Sequence, residues 1–368
     1  MERPIQKPIG TPVEELDTPT MVVDLTALEK NIETVHGFFR NRKAKLRPYV
    51  GTHRCPALAH MQLAAGGTVG GVAVGTVGQA EAFADNGIAD LMVTTEIVGP
   101  PKIERVCALA RRAKVTVVVD SASNVDELAK AAKGHGVILR AAVDVHTRLN
   151  GAGVEPGRPA VNLAKRVAKA KGLEFVGFTS YEGPILEKTP AKLAAESRKW
   201  IQQVLDTREM AEKAGLDVQT VVVGGTHNYE VAGAMKGVTE VPAGAYALLE
   251  ERYRPYRKQL KPAASVLCTV TSTPEPGTAI ADAGMKSCGN DTGLPGARNV
   301  AGATVRSLSA EHTNISMAEA KTSLKVGDKV WLTPWEVGVT ANLYDYINAI
   351  RKGKLEAIFE VTARGRYR

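Results

Sequence analysis

Residues able to do acid–base chemistry recur in this chain just after short apolar runs. Leu46-Arg47-Pro48-Tyr49-Val50-Gly51-Thr52-His53-Arg54 reads as a strand that runs into a polar turn. The same placement recurs at Glu96, at Asp120, at Asp144 and His146, at Tyr181 and Glu182, at Thr226 and His227, and at Tyr246. His53, His146 and His227 are three of the seven histidines, and each falls just beyond such a run. An imidazole titrates near neutrality and can serve as base, acid or metal ligand. His53, His146, Glu182 and His227, with Tyr181, are therefore the candidate catalytic set. His146, Glu182 and His227 are the candidate ligands of a divalent metal. The plainer reading is that these histidines only hydrogen-bond a bound anion. Gly224, Gly225 and Thr226, with Tyr246, form a candidate cofactor-binding group, because successive backbone N–H groups after a strand can cradle an anion. A tight turn accounts for Gly-Gly equally well.

Chemistry at strand ends needs a scaffold that gathers those ends. Runs such as Val117-Val118-Val119 are apolar without alternation, as expected of strands covered on both faces. Strands are expected at 45–50, 70–74, 90–95, 115–120, 137–145, 173–180, 220–223 and 240–241. Helices are expected between them at 56–65, 77–86, 101–113, 125–132, 159–171 and 191–214. A first helix over 25–39, capped by Asp24 or Thr26, follows an extended lead-in at 18–24. Eight strands alternating with helices predict an α/β fold, a (β/α)8 TIM-like barrel over residues 18–258, whose active site lies at the C-terminal ends of the strands. An open doubly wound sheet is the alternative, but no G-x-G-x-x-G follows the first strand. Beyond residue 258 the helical signal fades. Strands are expected at 264–273, 277–282, 301–308, 329–332 and 357–364, so residues 259–368 with 1–17 are read as a mostly β domain.

The 368 residues are 44% hydrophobic and 23% charged, enough for a sizeable core. The net charge is +8. The basic residues are spread along helix faces without interleaved aromatics, so an anionic small-molecule substrate is expected and nucleic acid is not. Cys55, Cys107, Cys268 and Cys288 show no C-x-x-C spacing, which argues against a zinc site or disulfide framework and for a cytoplasmic protein. No stretch approaches the length of a membrane span, so no membrane partner is expected.

Several stretches together resemble the D-threonine aldolase and D-serine dehydratase family, built on the alanine racemase-like barrel. They are 46–55, 119–121, 144–157, 181–183, 224–230, Thr239-Glu240-Val241 with Gly244 and Tyr246, 282–286, 291–295, 309–312 and 334–345. They keep the family order over nearly the whole chain. The resemblance implies a pyridoxal-phosphate barrel with a β-rich C-terminal domain, assembled as a homodimer. In it a lysine forms the Schiff base, Gly-Gly-Thr holds the phosphate, and D-threonine aldolases add a divalent metal. It also implies that Asp291, Glu311 and His312 belong to a site shared between subunits, although caps and turns would explain them as well.

Several positions depart from that pattern. The lysine of the family's R-P-x-x-K-T-H-K falls on Gly51, which cannot form an imine, so pyridoxal phosphate is not expected as a covalent cofactor. Lys45, six residues back, is roughly 20 Å away along the strand and cannot substitute. Arg54 takes the place of the second lysine and stays protonated. The family's P-x-H-x-C reads Pro334-Trp335-Glu336-Val337-Gly338, where Glu336 could still bind a hard cation and Gly338 offers no ligand. Gly151 stands where an arginine is common, His227 where a small residue is usual, and Pro184 where a histidine often follows Tyr-Glu-Gly. The changes concentrate at the mouth. The expected function is a divergent lyase of aldolase or dehydratase type, acting on a small β-hydroxy carbonyl or amino-acid-like substrate without a Schiff base, with a divalent metal as an option. The alternative is a catalytically inactive protein of the same family that binds pyridoxal phosphate or another phosphate ligand.

Overall fold

A computed structural model describes residues 6–148 and 151–368. Leu149 and Asn150, within the expected fifth-strand motif, lie outside the described residues, as do residues 1–5 of the expected β domain. The chain divides into two compact units, one of residues 1–34, 52–57 and 245–364, the other of residues 35–51, 58–244 and 365–368.

The second of these units is the barrel. After β1 (Thr20–Asp24) and α1 (Leu25–Arg40), its strands are β2 (Lys45–Pro48), β3 (Val72–Val74), β4 (Asp90–Val93), β5 (Lys114–Val119), β6 (Leu139–Asp144), β7 (Leu173–Thr179), β8 (Thr220–Val222) and β9 (Glu240–Ala243). All pair in parallel, in the order β2-β9-β8-β7-β6-β5-β4-β3. Single bridges Leu46↔Thr68 and Tyr49↔Ala73 bring the remaining edges together. The intervening helices are α2 (Pro56–Ala64), α3 (Val77–Asp85), α4 (Pro100–Leu109), α5 (Ala122–His135), α6 (Arg158–Lys169), α7 (Pro190–Lys213) and α8 (Tyr229–Ala234). This is the fold class that the sequence predicts.

Inward-facing side chains fill the barrel in layers. At the N-terminal ends of the strands the filling is ionic. Arg47 is buried, with Nε 2.5 Å from Glu240 Oε2 and Nη1 2.7 Å from Asp90 Oδ1. Lys114 Nζ is 2.8 Å from the second Asp90 oxygen. Burial alone would raise the Asp90 carboxyl, but Arg47 and Lys114 outweigh it and hold it below the usual range. Above this lies an apolar layer of Ala73, Met92, Val118 and Val222, against which the Tyr49 ring packs. At Gly177 (φ +146°) a Cβ would lie 1.9 Å from the Thr220 carbonyl oxygen, so only glycine lets β7 approach β8 this closely.

The first unit is built on an antiparallel sheet with one parallel step. Its strands are β1, β10 (Ala264–Ser272), β11 (Thr278–Ala281), β12 (Gly296–Ala297), β13 (Thr304–Leu308), β14 (Thr313–Ser316), β15 (Lys329–Thr333), β16 (Tyr346–Arg351) and β17 (Lys354–Glu360), with α9 (Val337–Ala341) between β15 and β16. The order is β13-β14-β11-β10-β1-β16-β17, and β15 pairs with both β10 and β12. The expected lead-in at 18–24 is thus corrected. Its core, β1, is a central strand of this sheet, antiparallel to β10 and parallel to β16. Its apolar run Met21-Val22-Val23 is fully buried there. Asp24 Oδ1 accepts the Ala27 N–H at 3.0 Å and so caps α1, one of the two caps expected.

Candidate active site

The barrel mouth is made by the residues that follow each strand. After β2 the chain makes a short 3-10 turn over 50–52. Gly51 lies in it, and a Cβ built there would meet Tyr49 Cε1, Cζ and Oη, each at 2.9 Å. The Tyr49 ring therefore stands where a side chain at position 51 would begin. It also lies close to the next loop, because a Cβ on Gly75 would be 3.0 Å from Tyr49 Oη. Lys45 is remote from the mouth: its Nζ donates to the Phe39 and Arg40 carbonyls at the end of α1.

After β7 and β8 the site is polar and buried. Glu182 is 2% exposed. Its Oε1 accepts from Asn228 Nδ2 at 2.6 Å, and its Oε2 accepts from the Gly224 N–H at 3.3 Å. Asn228 Oδ1 in turn accepts the Gly225 N–H at 2.9 Å, and Asn228 Nδ2 also donates to Ser197 Oγ at 3.2 Å. The two glycine amides expected to cradle an anion are thus engaged by the protein's own carboxylate and carboxamide. Gly224 has φ +88°, and a Cβ on it would lie 2.7 Å from the Ala232 Cβ, so the turn needs glycine there. His227 is buried, with Nε2 3.5 Å from Glu182 Oε1. A Cβ on Gly225 would meet the His227 ring at 3.2 Å and Tyr181 Cε2 at 3.6 Å, so those two rings flank the glycine. Tyr181 is half exposed, and Thr226 is buried.

After β4, β5 and β6 the mouth carries carboxylates. Glu96 and Asp144 act on each other side chain to side chain, and Asp120 adds its charge to both. Burial first, then Glu96 and Asp120, push the Asp144 carboxyl up to about 7. Glu96 is raised too, chiefly by burial. Asp120 Oδ2 accepts the Gly153 N–H at 3.3 Å. Asp144 can therefore hold or take up a proton near neutral pH.

The expected metal set is not assembled. Among the described residues no three His, Cys, Asp or Glu side chains come together in a way that could hold a metal ion, so His146, Glu182 and His227 do not form a ligand set. Both Glu182 oxygens are spent on Asn228 and Gly224, which ties the carboxylate to α8 and its turn. His146 is half-buried, and its N–H donates to the Val154 carbonyl at 2.8 Å. His53 and Tyr246 belong to the unit of the β sheet, and both are fully buried. His53 Nδ1 accepts the Cys55 N–H at 3.1 Å, which fixes that nitrogen as an acceptor. Tyr49 and Asn228 were assigned no role from sequence. The signals are present: Tyr49 shares a strand face with Gly51, and Asn228 stands three residues after Gly225, within reach of its N–H.

A parallel barrel with an ionisable C-terminal mouth, together with a β-rich unit drawn from both the N-terminal and the C-terminal parts of the chain, defines an alanine racemase-type enzyme scaffold. Residues 23–249 match the alanine racemase N-terminal domain and residues 263–350 a putative serine dehydratase domain. The chain belongs to the D-threonine aldolase and D-serine dehydratase-like family of that fold. It is 30% identical to a D-threonine aldolase of Arthrobacter sp over 361 residues, 97% of this chain and 95% of that protein. It is 32% identical to a 3-hydroxy-D-aspartate aldolase of Paracoccus denitrificans (strain Pd 1222), covering 97% and 94%. The crystal structure of D-threonine aldolase from Filomicrobium marinum superposes with a TM-score of 0.94 at 31% identity, covering 98% of this chain and 100% of that one. These relatives are lyases. No described helix is long and apolar enough to cross a membrane.

Proposed function

We propose that this chain is a lyase of aldolase or dehydratase type that acts on a small β-hydroxy carbonyl substrate without an imine to pyridoxal phosphate. The observation that carries this reading is the pair Tyr49 and Gly51. Position 51 has no amine, and a phenol ring fills the space where one would project. The residues present do not fit covalently held pyridoxal phosphate. The engagement of the Gly224 and Gly225 amides by Glu182 and Asn228 supports the same view, since a buried carboxylate at the cradle repels a phosphate.

Without an imine, the electron pair released by carbon–carbon cleavage or α-proton removal has to move onto a carbonyl of the substrate itself. β-Hydroxy ketones and keto acids carry such a carbonyl, whereas a plain β-hydroxy amino acid does not. The hydroxyl proton of a retro-aldol cleavage needs a base at neutral pH, and the Asp144–Glu96 pair supplies one. His227 and Tyr181, flanking Gly225, offer donors for the enolate oxygen. The basic surface favours an anionic substrate over nucleic acid, and we read the protein as a cytoplasmic homodimer.

The test combines borohydride reduction and intact-mass measurement with a substrate screen. D-threonine, 3-hydroxy-D-aspartate, β-hydroxy ketones and keto acids are each assayed with and without added pyridoxal phosphate. An unchanged mass, with turnover of a carbonyl substrate that ignores the added cofactor, is expected. A reduced adduct on a lysine, or D-threonine cleavage that depends on added cofactor, overturns the reading.

A further inference from the structure

The stretch Pro334-Trp335-Glu336-Val337-Gly338, aligned above with the family's metal-binding P-x-H-x-C, lies in the unit of the β sheet. There it is met by a buried carboxylate and two guanidiniums. Glu250 is 2% exposed, and its Oε1 accepts the Val337 N–H at 3.2 Å. Its Oε2 accepts from Arg252 Nε at 2.7 Å. Arg252 Nη1 reaches 3.5 Å from Glu336 Oε2, and Thr292 Oγ1 donates to that oxygen at 3.4 Å. A second guanidinium approaches from Arg54, whose Nε donates to the Gly338 carbonyl at 3.2 Å. The Thr292 loop is held on the same stretch by close packing, since a Cβ on Gly293 would lie 2.3 Å from the Trp335 ring.

We propose that Arg252 is a resident cation at this position, bridging Glu250 and Glu336 in place of the divalent metal that the family's histidine and cysteine would hold. A guanidinium offers fixed donors to two carboxylates and stays protonated, so it keeps a positive charge beside both of them at every physiological pH. A divalent ion needs the same oxygens and would have to enter beside a positive charge within about 3 Å of them, which Coulomb repulsion in a half-buried site opposes. The oxygen donors themselves suit a hard cation: two carboxylates and a threonine hydroxyl. Removing Arg252 therefore frees both carboxylates and converts the network into a site for manganese. This inference is independent of the reading of the barrel mouth, because it concerns other residues and is read by metal content rather than turnover.

The experiment measures bound manganese by elemental mass spectrometry, after equilibration with Mn2+ and desalting, on the full chain. Wild type and Arg252→Lys are expected to retain background levels. Arg252→Met is expected to retain about one equivalent and to gain thermal stability with Mn2+, and both effects should disappear when Glu336→Gln is added. If Arg252→Met folds only when Mn2+ is present, that dependence supports the inference equally. Wild type that binds manganese through Glu336, or an Arg252→Met chain that binds none whether or not it folds, overturns it.

Discussion

The Tyr49 phenol lies 2.9 Å from the point where a side chain on Gly51 would begin, so the two positions are complementary: one has lost its side chain and the other occupies the space. Restoring the lysine alone does not restore room for it. Gly51→Lys is expected to displace the Tyr49 ring from the Ala73, Met92, Val118 and Val222 layer, at an overpacking cost of about 1–3 kcal/mol. It should yield no borohydride-trapped adduct with pyridoxal phosphate. The double variant Tyr49→Ala with Gly51→Lys frees the volume and should recover stability relative to Gly51→Lys. Urea midpoints and intact masses after reduction check both statements. Efficient adduct formation by Gly51→Lys alone would show that the ring is no obstacle.

Arg47 sets the floor of the barrel. It is 3% exposed and bonded through Nε to Glu240 and through Nη1 to Asp90. Arg47→Met keeps most of the side-chain volume but leaves Glu240 buried without its cation, while Asp90 keeps Lys114. Breaking one partner of a buried pair typically costs about 3–5 kcal/mol. A fall of that size in unfolding free energy is expected, with catalysis per folded molecule retained because the network lies at the end of the barrel opposite the mouth. A loss below about 1 kcal/mol would mean that water replaces the guanidinium there.

Much of this architecture was legible in the sequence. Parallel strands buried on both faces announce themselves as unbroken Val and Ala runs: six of the eight barrel strands lie within the expected stretches, while β5 begins one residue early and β9 runs two residues further. The β unit was less legible. β1 reads locally as a lead-in because its partners, Leu267 and Asn348, are hundreds of positions away and nothing local marks a strand's partners. β16 carries little local signal because Tyr346-Ile-Asn-Ala-Ile-Arg mixes a polar residue into a short apolar run, and Asn348 Nδ2 donates to Thr20 Oγ1 at 2.8 Å across the sheet. At the site, the loss of an amine at Gly51 could be read directly. The direction of the Tyr49 ring, the mutual influence of Glu96 and Asp144, and the capture of Glu182 by Asn228 are lateral relations between strands, which spacing along the chain does not encode.

The Asp144–Glu96 pair makes a prediction about pH. The Asp144 carboxyl is raised to about 7, first by burial and then by Glu96 and Asp120. In the unfolded chain it would ionise near 3.9. Between those values the folded state holds a proton that the unfolded state has released, so stability from this group is full below about pH 4 and is lost as the pH climbs toward 7. Asp144→Asn keeps a hydrogen-bonding group opposite Glu96 but does not titrate. Its thermal midpoint should vary less than that of wild type between about pH 5 and pH 8. If Asp144 is also the base of the proposed reaction, kcat/KM of wild type rises with pH through this range and is lost in Asp144→Asn. Parallel stability profiles for the two proteins would remove Asp144 from the titration.

Glu182 joins the Tyr181 loop to the turn after β8. Its oxygens accept from Asn228 Nδ2 at 2.6 Å and from the Gly224 N–H at 3.3 Å, so both of its hydrogen-bonded positions face donors. Glu182→Gln is nearly isosteric, yet its amide nitrogen must face one of those donors in either orientation. At least one buried N–H then loses its acceptor, which costs about 1–3 kcal/mol. A lower urea midpoint with unchanged m-value is expected. Glu182→Asp keeps the charge but shortens the reach, so it should also lower stability. Should Glu182→Gln match wild type in its urea midpoint, the carboxylate would not be the group that holds this turn closed.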